Sequence, residues 1–148
     1  MSRGHLAIIA QFDRGILPKK STFYMSLRNC QGKDTYIMIT RYALFQGEVL
    51  PTKLADFKKA VMDELLPTWL SYPGATAVRV SFATERDHGA PNVPLVLAVD
   101  FASPGALEAA LNSQERLDSR AATQRVLPGL FTGKIFHYVT DSSEHLVA

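Results

Sequence analysis

The sequence predicts an α+β domain in which strand, helix, strand, strand, helix and strand follow one another, with four antiparallel strands and both helices on one sheet face. Three observations carry this reading. Apolar residues recur at helical spacing through Leu54, Phe57, Val61 and Leu65; two strand-like runs, Thr76 to Phe82 and Val93 to Phe101, then face each other across a polar loop; and a second helical stretch is followed by the β-rich run Lys134 to Thr140.

The first strand is the run Ile39 to Glu48, rich in β-branched and aromatic residues, which is expected to end at Gly47. Thr52 is the expected N-cap of the first helix, whose stripe Leu54, Phe57, Val61 and Leu65 is widened by Met62, Leu66 and Trp69. Pro67 lacks an amide proton and its ring crowds the preceding turn, so it is expected to kink or end that helix. After the turn Tyr72-Pro73-Gly74, Thr76, Val78, Val80 and Phe82 alternate with Ala77, Arg79, Ser81 and Ala83, the period of a half-buried strand. The loop from Glu85 to Asn92 leads to Val93 to Phe101, whose nearly continuous apolar character suits a central strand buried on both faces. Ser103-Pro104 supplies a cap and an N1 proline; Leu107, Ala110 and Leu111 begin the second helical region, and Leu117, Ala121 and Val126 are its expected buried positions from Gln114 to Leu127. Pro128-Gly129 stops that helix, and KIFHYVT (Lys134 to Thr140) is the last strand.

This order is the split βαβ, or ferredoxin-like, pattern. Two right-handed crossovers place both helices on one face of the sheet, leaving apolar side chains on the other. An identical sheet from a second copy is the simplest cover, which predicts a homodimer.

At 148 residues there is room for one domain. Hydrophobic content of 47% with 20% charged residues is that of a folded globular protein rather than a disordered chain. Residues 1 to 37 carry six Lys and Arg against Asp13 and Asp34, whereas the remainder holds ten basic and twelve acidic residues, a balance of −2 that offers no basic field for nucleic acid. The single cysteine, Cys30, and the lack of a long apolar leader point to a reducing, cytoplasmic setting, and no stretch is long enough to span a bilayer. The pattern marks residues 38 to 142 as the domain, 143 to 148 as a tail, and 1 to 37 as an extension. That extension is either poorly organised, a leader, or an added edge strand at Leu6 to Phe12, and Met38 is read as the natural start.

Asp56-Phe57 through Pro67 to Pro73-Gly74, an aromatic residue ten positions before a proline and then a Pro-Gly turn, resembles the EthD-like signature. LVLAVDF and the later LPGLFTGKIFHYVT are similar to that family's second half, so the likeness covers most of residues 39 to 140. The resemblance implies a dimeric α+β barrel. It also implies the company of small proteins of catabolic gene clusters, cofactor-independent monooxygenases, isomerases and, in other branches, heme proteins. The likeness departs at Leu65, where EthD-like proteins commonly carry a histidine two residues before the helix proline. An aliphatic side chain there neither transfers a proton nor ligates a metal, so an activity that depends on that histidine does not carry over.

Among the remaining candidates, His137 lies between Ile135 and Val139 on one strand face, a position for a general base or heme ligand and equally for a core or interface residue. Trp69, Tyr72, Tyr42 and Phe45 are expected to line an apolar pocket between helix and sheet, with Trp69 closing its mouth beyond Pro67; core packing is the competing use. Arg79 and Arg41 are strand cations that would hold an anionic substrate, although Arg79 also suits a cross-strand ion pair with Asp100. His88, beside Asp87 and Glu85, has the residue types of a metal site but sits in a loop where such residues are usually solvated. There is no glycine-rich phosphate loop, no paired cysteines and no nucleophile elbow. The resulting expectation is a small homodimer that binds an apolar or aromatic molecule without a tightly bound cofactor. The alternatives are a cofactor-independent monooxygenase or isomerase, with Trp69, Tyr42 and His137 around the substrate, and a structural or regulatory dimer whose pocket its own side chains fill.

Overall fold

A long hairpin-like pairing between the first and last strands of the domain sets the frame. The computed structural model describes residues 26–28, 34–145 and 147, and the surroundings of side chains from Met38 onward. The expected strand at Leu6 to Phe12, and Cys30, fall outside the described residues. The strands are β1 (Ser26–Arg28), β2 (Asp34–Val49), β3 (Ala75–Phe82), β4 (Leu95–Phe101) and β5 (Phe131–Glu144). The four main strands lie in the order β5, β2, β4, β3, all antiparallel. β1 adds to the start of β2 on the side opposite β5, because Tyr36 pairs with both Ser26 and Glu144. β2 and β5 run past residues 38 and 142, where the sequence pattern marks the domain's limits.

β2 does not end at Gly47. It continues to Val49 because Gly47 faces Gly133 on β5, and there the two backbones approach more closely than side chains permit. A Cβ on Gly133 would lie 2.1 Å from the Gln46 carbonyl oxygen, and one on Gly47 would lie 2.1 Å from that of Thr132. Here glycine lets strands approach instead of ending one.

Thr52 is not the helix cap. It adopts φ 65° as the third residue of a turn closed by the Lys53 amide donating to the Leu50 carbonyl at 3.0 Å, and Lys53 occupies the cap position without a side-chain bond. Pro51 in the second position and a left-handed third residue are the marks of a type II turn.

The first helical rod comprises α1 (Leu54–Ala60), a π-helical turn (Val61–Leu65) and α2 (Leu66–Leu70). It does not end at Pro67, but its α-helical run is interrupted by the π-helical turn just before the proline. The Leu66 amide donates to the Val61 carbonyl, a five-residue step that widens the turn where the proline ring would crowd the carbonyl of Asp63. The same insertion explains the burial pattern. Phe57, Val61, Leu65 and Trp69 are spaced by four and all buried. In an unbroken α-helix each step of four overshoots a full turn by about 40°, so three steps would carry the stripe off its face. One extra residue returns about 100° of that drift. Leu54 and Met62, expected in the stripe, are exposed instead.

This rod packs on the sheet face formed by Phe45, Leu95, Leu97, Val99 and Phe101. Phe57 stacks on Phe131 at 6.0 Å, and Phe45 meets Trp69 and Phe131 edge-on at 6.4 and 6.2 Å. As a central strand, β4 is buried on both faces, as its nearly continuous apolar run predicts.

α3 (Pro104–Leu111) and α4 (Gln114–Val126) are each capped by a serine: Ser103 Oγ accepts from the Ala106 amide at 3.1 Å, and Ser113 Oγ accepts from the Arg116 amide at 3.3 Å. The buried positions of α4 are Ser119, Ala122 and Val126, while Leu117 and Ala121 face outward, contrary to the expected stripe. Small side chains at 119 and 122 let α4 come close to the end of α2, where the Tyr72 hydroxyl donates to Ser119 Oγ at 3.1 Å. That contact joins the burial of Ala122 and Val126 in setting the rotation of α4, which leaves Leu117 outside.

Candidate functional site

Strand alternation sorts the sheet into two faces. On β2 the odd residues Arg41, Ala43 and Phe45 point toward the helices, and the register Ala43↔His137 and Phe45↔Ile135 brings β5's odd residues to the same side. Between this floor and the helices lies an open cleft of about 460 Å³. Leu97 of β4 completes the floor. Trp69 and Tyr72, at the end of the first helical rod, form one wall, and Arg116, Ser119 and Arg120 of α4 form the other.

The buried part of the lining, at Phe45, Trp69 and Leu97, is apolar and aromatic, and its less buried part carries the cations Arg41, Arg116 and Arg120. Trp69 and Phe45 are almost wholly buried. His137 is pushed down to about 4, first by burial between the walls and then by the positive charges of Arg41 and Arg116; its ring still reaches solvent. At neutral pH it is therefore uncharged. Burial also lowers the Arg41 guanidinium below its ordinary value, with Arg116 adding like-charge repulsion and Tyr72 acting in the opposite sense. No carboxylate lines the cleft among the described residues, and none there pairs with Arg41, Arg116 or Arg120.

The predicted site residues are divided by the sheet. Trp69, Phe45, Tyr72 and His137 come together in the cleft. Tyr42 and Arg79 belong to the opposite face, because each is offset by an odd number of residues from the helix-facing positions of its own strand, Ala43 and Phe45 on β2 and Val78 and Val80 on β3. Arg79 is held there by Asp100, through Nη2 to Oδ1 at 2.8 Å and a second contact from Nη1 to Oδ2. Thr40 Oγ1 donates to the same carboxylate at 2.7 Å, and Asp100 is almost inaccessible. The hydrogen bond to Asp100 is the main cause that raises the Arg79 guanidinium further. The arginine is thus already occupied by an anion of its own chain. His88 is exposed, and among the described residues no group of His, Cys, Asp or Glu is arranged to hold a metal. Leu65 is wholly buried in the core beside Val61 and Trp69, and does not line the cleft.

Sequence reasoning missed Arg116, Ser119 and Arg120. Their signal was present: two arginines four apart lie on one helix face, and the small residue between them marks the side that packs inward.

No protein-family model matches the sequence, and no curated protein is significantly similar to it. Solved structures are similar in shape. An EthD (ethyl tert-butyl ether D) family protein from Bacillus halodurans superposes with a TM-score of 0.54 at 17% identity, covering 68% of this chain and 96% of its own. A protein from Mesorhizobium loti described as a DABB family protein with a ferredoxin-like fold gives 0.52 at 12% identity, covering 70% and 95%. The fold is ferredoxin-like. A protein of unknown function from Nitrosomonas europaea matches with a TM-score of 0.51 at 17% identity, over 76% of this chain and 96% of its own. At these identities the likeness concerns the ferredoxin-like scaffold, which hosts many activities. Among the described residues no helix is long and apolar enough to cross a membrane.

Proposed function

We propose that this chain is a small-molecule-binding protein that takes an apolar or aromatic ligand in the cleft between the first helical rod, α4 and the sheet, without a tightly bound cofactor. The observation that carries the reading is the open volume of about 460 Å³ beside Trp69 and Phe45, within the range of ligand sites and not filled by the chain's own side chains. Trp69, Phe45 and Tyr72 supply the walls, and His137 the polar group at the mouth. Tyr42 and Arg79 serve the opposite face. There Phe136 and Tyr138 are 44% and 58% exposed, and a second copy of the same sheet is the cover that a two-fold axis provides.

Proton-transfer chemistry, as in a cofactor-independent monooxygenase or isomerase, is a second reading favoured by the neutral His137 facing the cleft. Binding is preferred to it because an imidazole lowered to about 4 is a weak base, far from the value near neutrality that general base catalysis favours. The chain's one tryptophan stands in the cleft wall, so intrinsic fluorescence is a direct test. Titration with naphthalene-sized aromatic compounds should quench or shift Trp69 emission saturably and raise the melting temperature. A panel that moves neither emission nor melting temperature would remove the binding reading. Sedimentation velocity should give twice the monomer mass, and a monomer at tens of micromolar would dispose of the two-fold partner.

A further inference from the structure

Residues 38 to 148 are slightly acidic in sum and contain six arginines, yet three of these, Arg41, Arg116 and Arg120, line the same cleft. Arg41 rises from the sheet floor, and the other two descend from α4, so independent elements deliver like charges to the same cavity, with Arg41 and Arg116 near enough to repel each other. Converging guanidinium groups repel each other and lose hydration when partly enclosed, and no carboxylate among the described lining residues compensates them. Arg79, in contrast, is neutralised by Asp100 on the other face of the same sheet. The chain thus neutralises a strand arginine where structure alone is served, and leaves these three facing an open volume. The buried lining of that volume, at Trp69, Phe45 and Leu97, is apolar.

Resting on the reading of the cleft as a binding site, we infer that its ligand is an amphipathic monocarboxylate. The hydrocarbon or aromatic body lies against Trp69 and Phe45, and the carboxylate is held by Arg41 and Arg116. Arg120, more exposed at the rim, draws the anion in. A planar guanidinium presents paired donors that match the two oxygens of a carboxylate, which a neutral amide of the same shape does not reproduce. Occupation by an anion removes the repulsion between Arg41 and Arg116, so binding stabilises the fold as well as the ligand. The lowered imidazole of His137 fits the same positive field.

The test compares 2-naphthoate with 2-naphthamide, a pair equal in size and differing in charge, by calorimetric titration and Trp69 fluorescence on the full-length protein. The expected result is binding of the carboxylate at least tenfold tighter than the amide, weakening as salt rises from 50 to 500 mM. In Arg41→Gln, and separately in Arg116→Gln, that preference should fall toward unity. Equal binding of both probes would overturn the assignment of a carboxylate and leave the cleft as an apolar site. Failure of both to bind would overturn the carboxylate and the cleft together. A preference for naphthoate that survives in both variants, each shown to be folded by its melting transition, would place the anion elsewhere and also refute the assignment.

Discussion

Replacing Gly133 by alanine should destabilise the fold through one identifiable contact. The added methyl would lie 2.1 Å from the Gln46 carbonyl oxygen and 2.7 Å from Gly47 Cα, both backbone atoms that cannot swing aside. A carbon and a carbonyl oxygen rest at about 3.3 Å or more, so β2 and β5 must part by roughly 1 Å at this point. Separation on that scale sacrifices one or two ladder hydrogen bonds at about 1 kcal/mol each and disturbs the packing of Phe131, two residues away. The expected loss is about 2–3 kcal/mol, a large share of the 5–15 kcal/mol of a typical domain. Urea denaturation followed by Trp69 emission and far-ultraviolet dichroism would read it as a lowered midpoint at constant slope. Gly47→Ala meets the mirror-image clash, so the double variant should cost clearly less than the two single losses together, since the strands are already parted. A loss below about 0.5 kcal/mol for Gly133→Ala would refute the close approach of the two strands.

Other changes test other parts of the account. Thr52→Gly should stabilise by about 1 kcal/mol, because φ 65° is strained for a β-branched residue and natural for glycine; thermal melting would show no gain if the turn were otherwise. Asp100→Ala should cost about 2–3 kcal/mol by stranding the Thr40 hydroxyl and the partly buried end of Arg79, measured by chemical denaturation and partly relieved in the double variant with Arg79→Met. His137, lowered to about 4 in the fold and near 6.5 when unfolded, binds fewer protons folded than unfolded. Its contribution is therefore complete above about pH 6.5 and is lost as pH falls toward 4. With the ring still reaching solvent, screening reduces the effect to on the order of 1 kcal/mol. His137→Gln should flatten the stability profile across that window, and an imidazole resonance that titrates near 6.5 in the wild type would contradict the cause.

The strand and helix order was legible because local pattern decides it. Alternation from Val78 to Phe82 and the apolar run of β4, interrupted by Asp100 alone, report one-sided and two-sided burial directly. What local pattern cannot report is a contact between distant segments. Gly47 looked like a strand end because its partner Gly133 lies far along the chain, and Leu117 looked buried because the contacts that orient α4, the Tyr72–Ser119 hydrogen bond between residues 47 apart among them, are with distant segments. The cleft was half legible. Trp69, Phe45, Tyr72 and His137 share it, whereas Tyr42 and Arg79 were grouped by residue type although strand parity places them on the other face. Arg116 and Arg120 sit on a mainly polar helix, where charges are the ordinary solvated surface, and only the approach of α4 to the sheet gives them a common target.

The most direct test of the cleft is to map where a ligand lands. With 2-naphthoate added to isotopically labelled protein, backbone amide shifts should concentrate at Ala43, Trp69, Ser119 and His137, with Tyr42, Ala98 and Tyr138 on the opposite face unmoved. Saturable shifts centred on Tyr42 and Tyr138, with the cleft silent, would contradict the account.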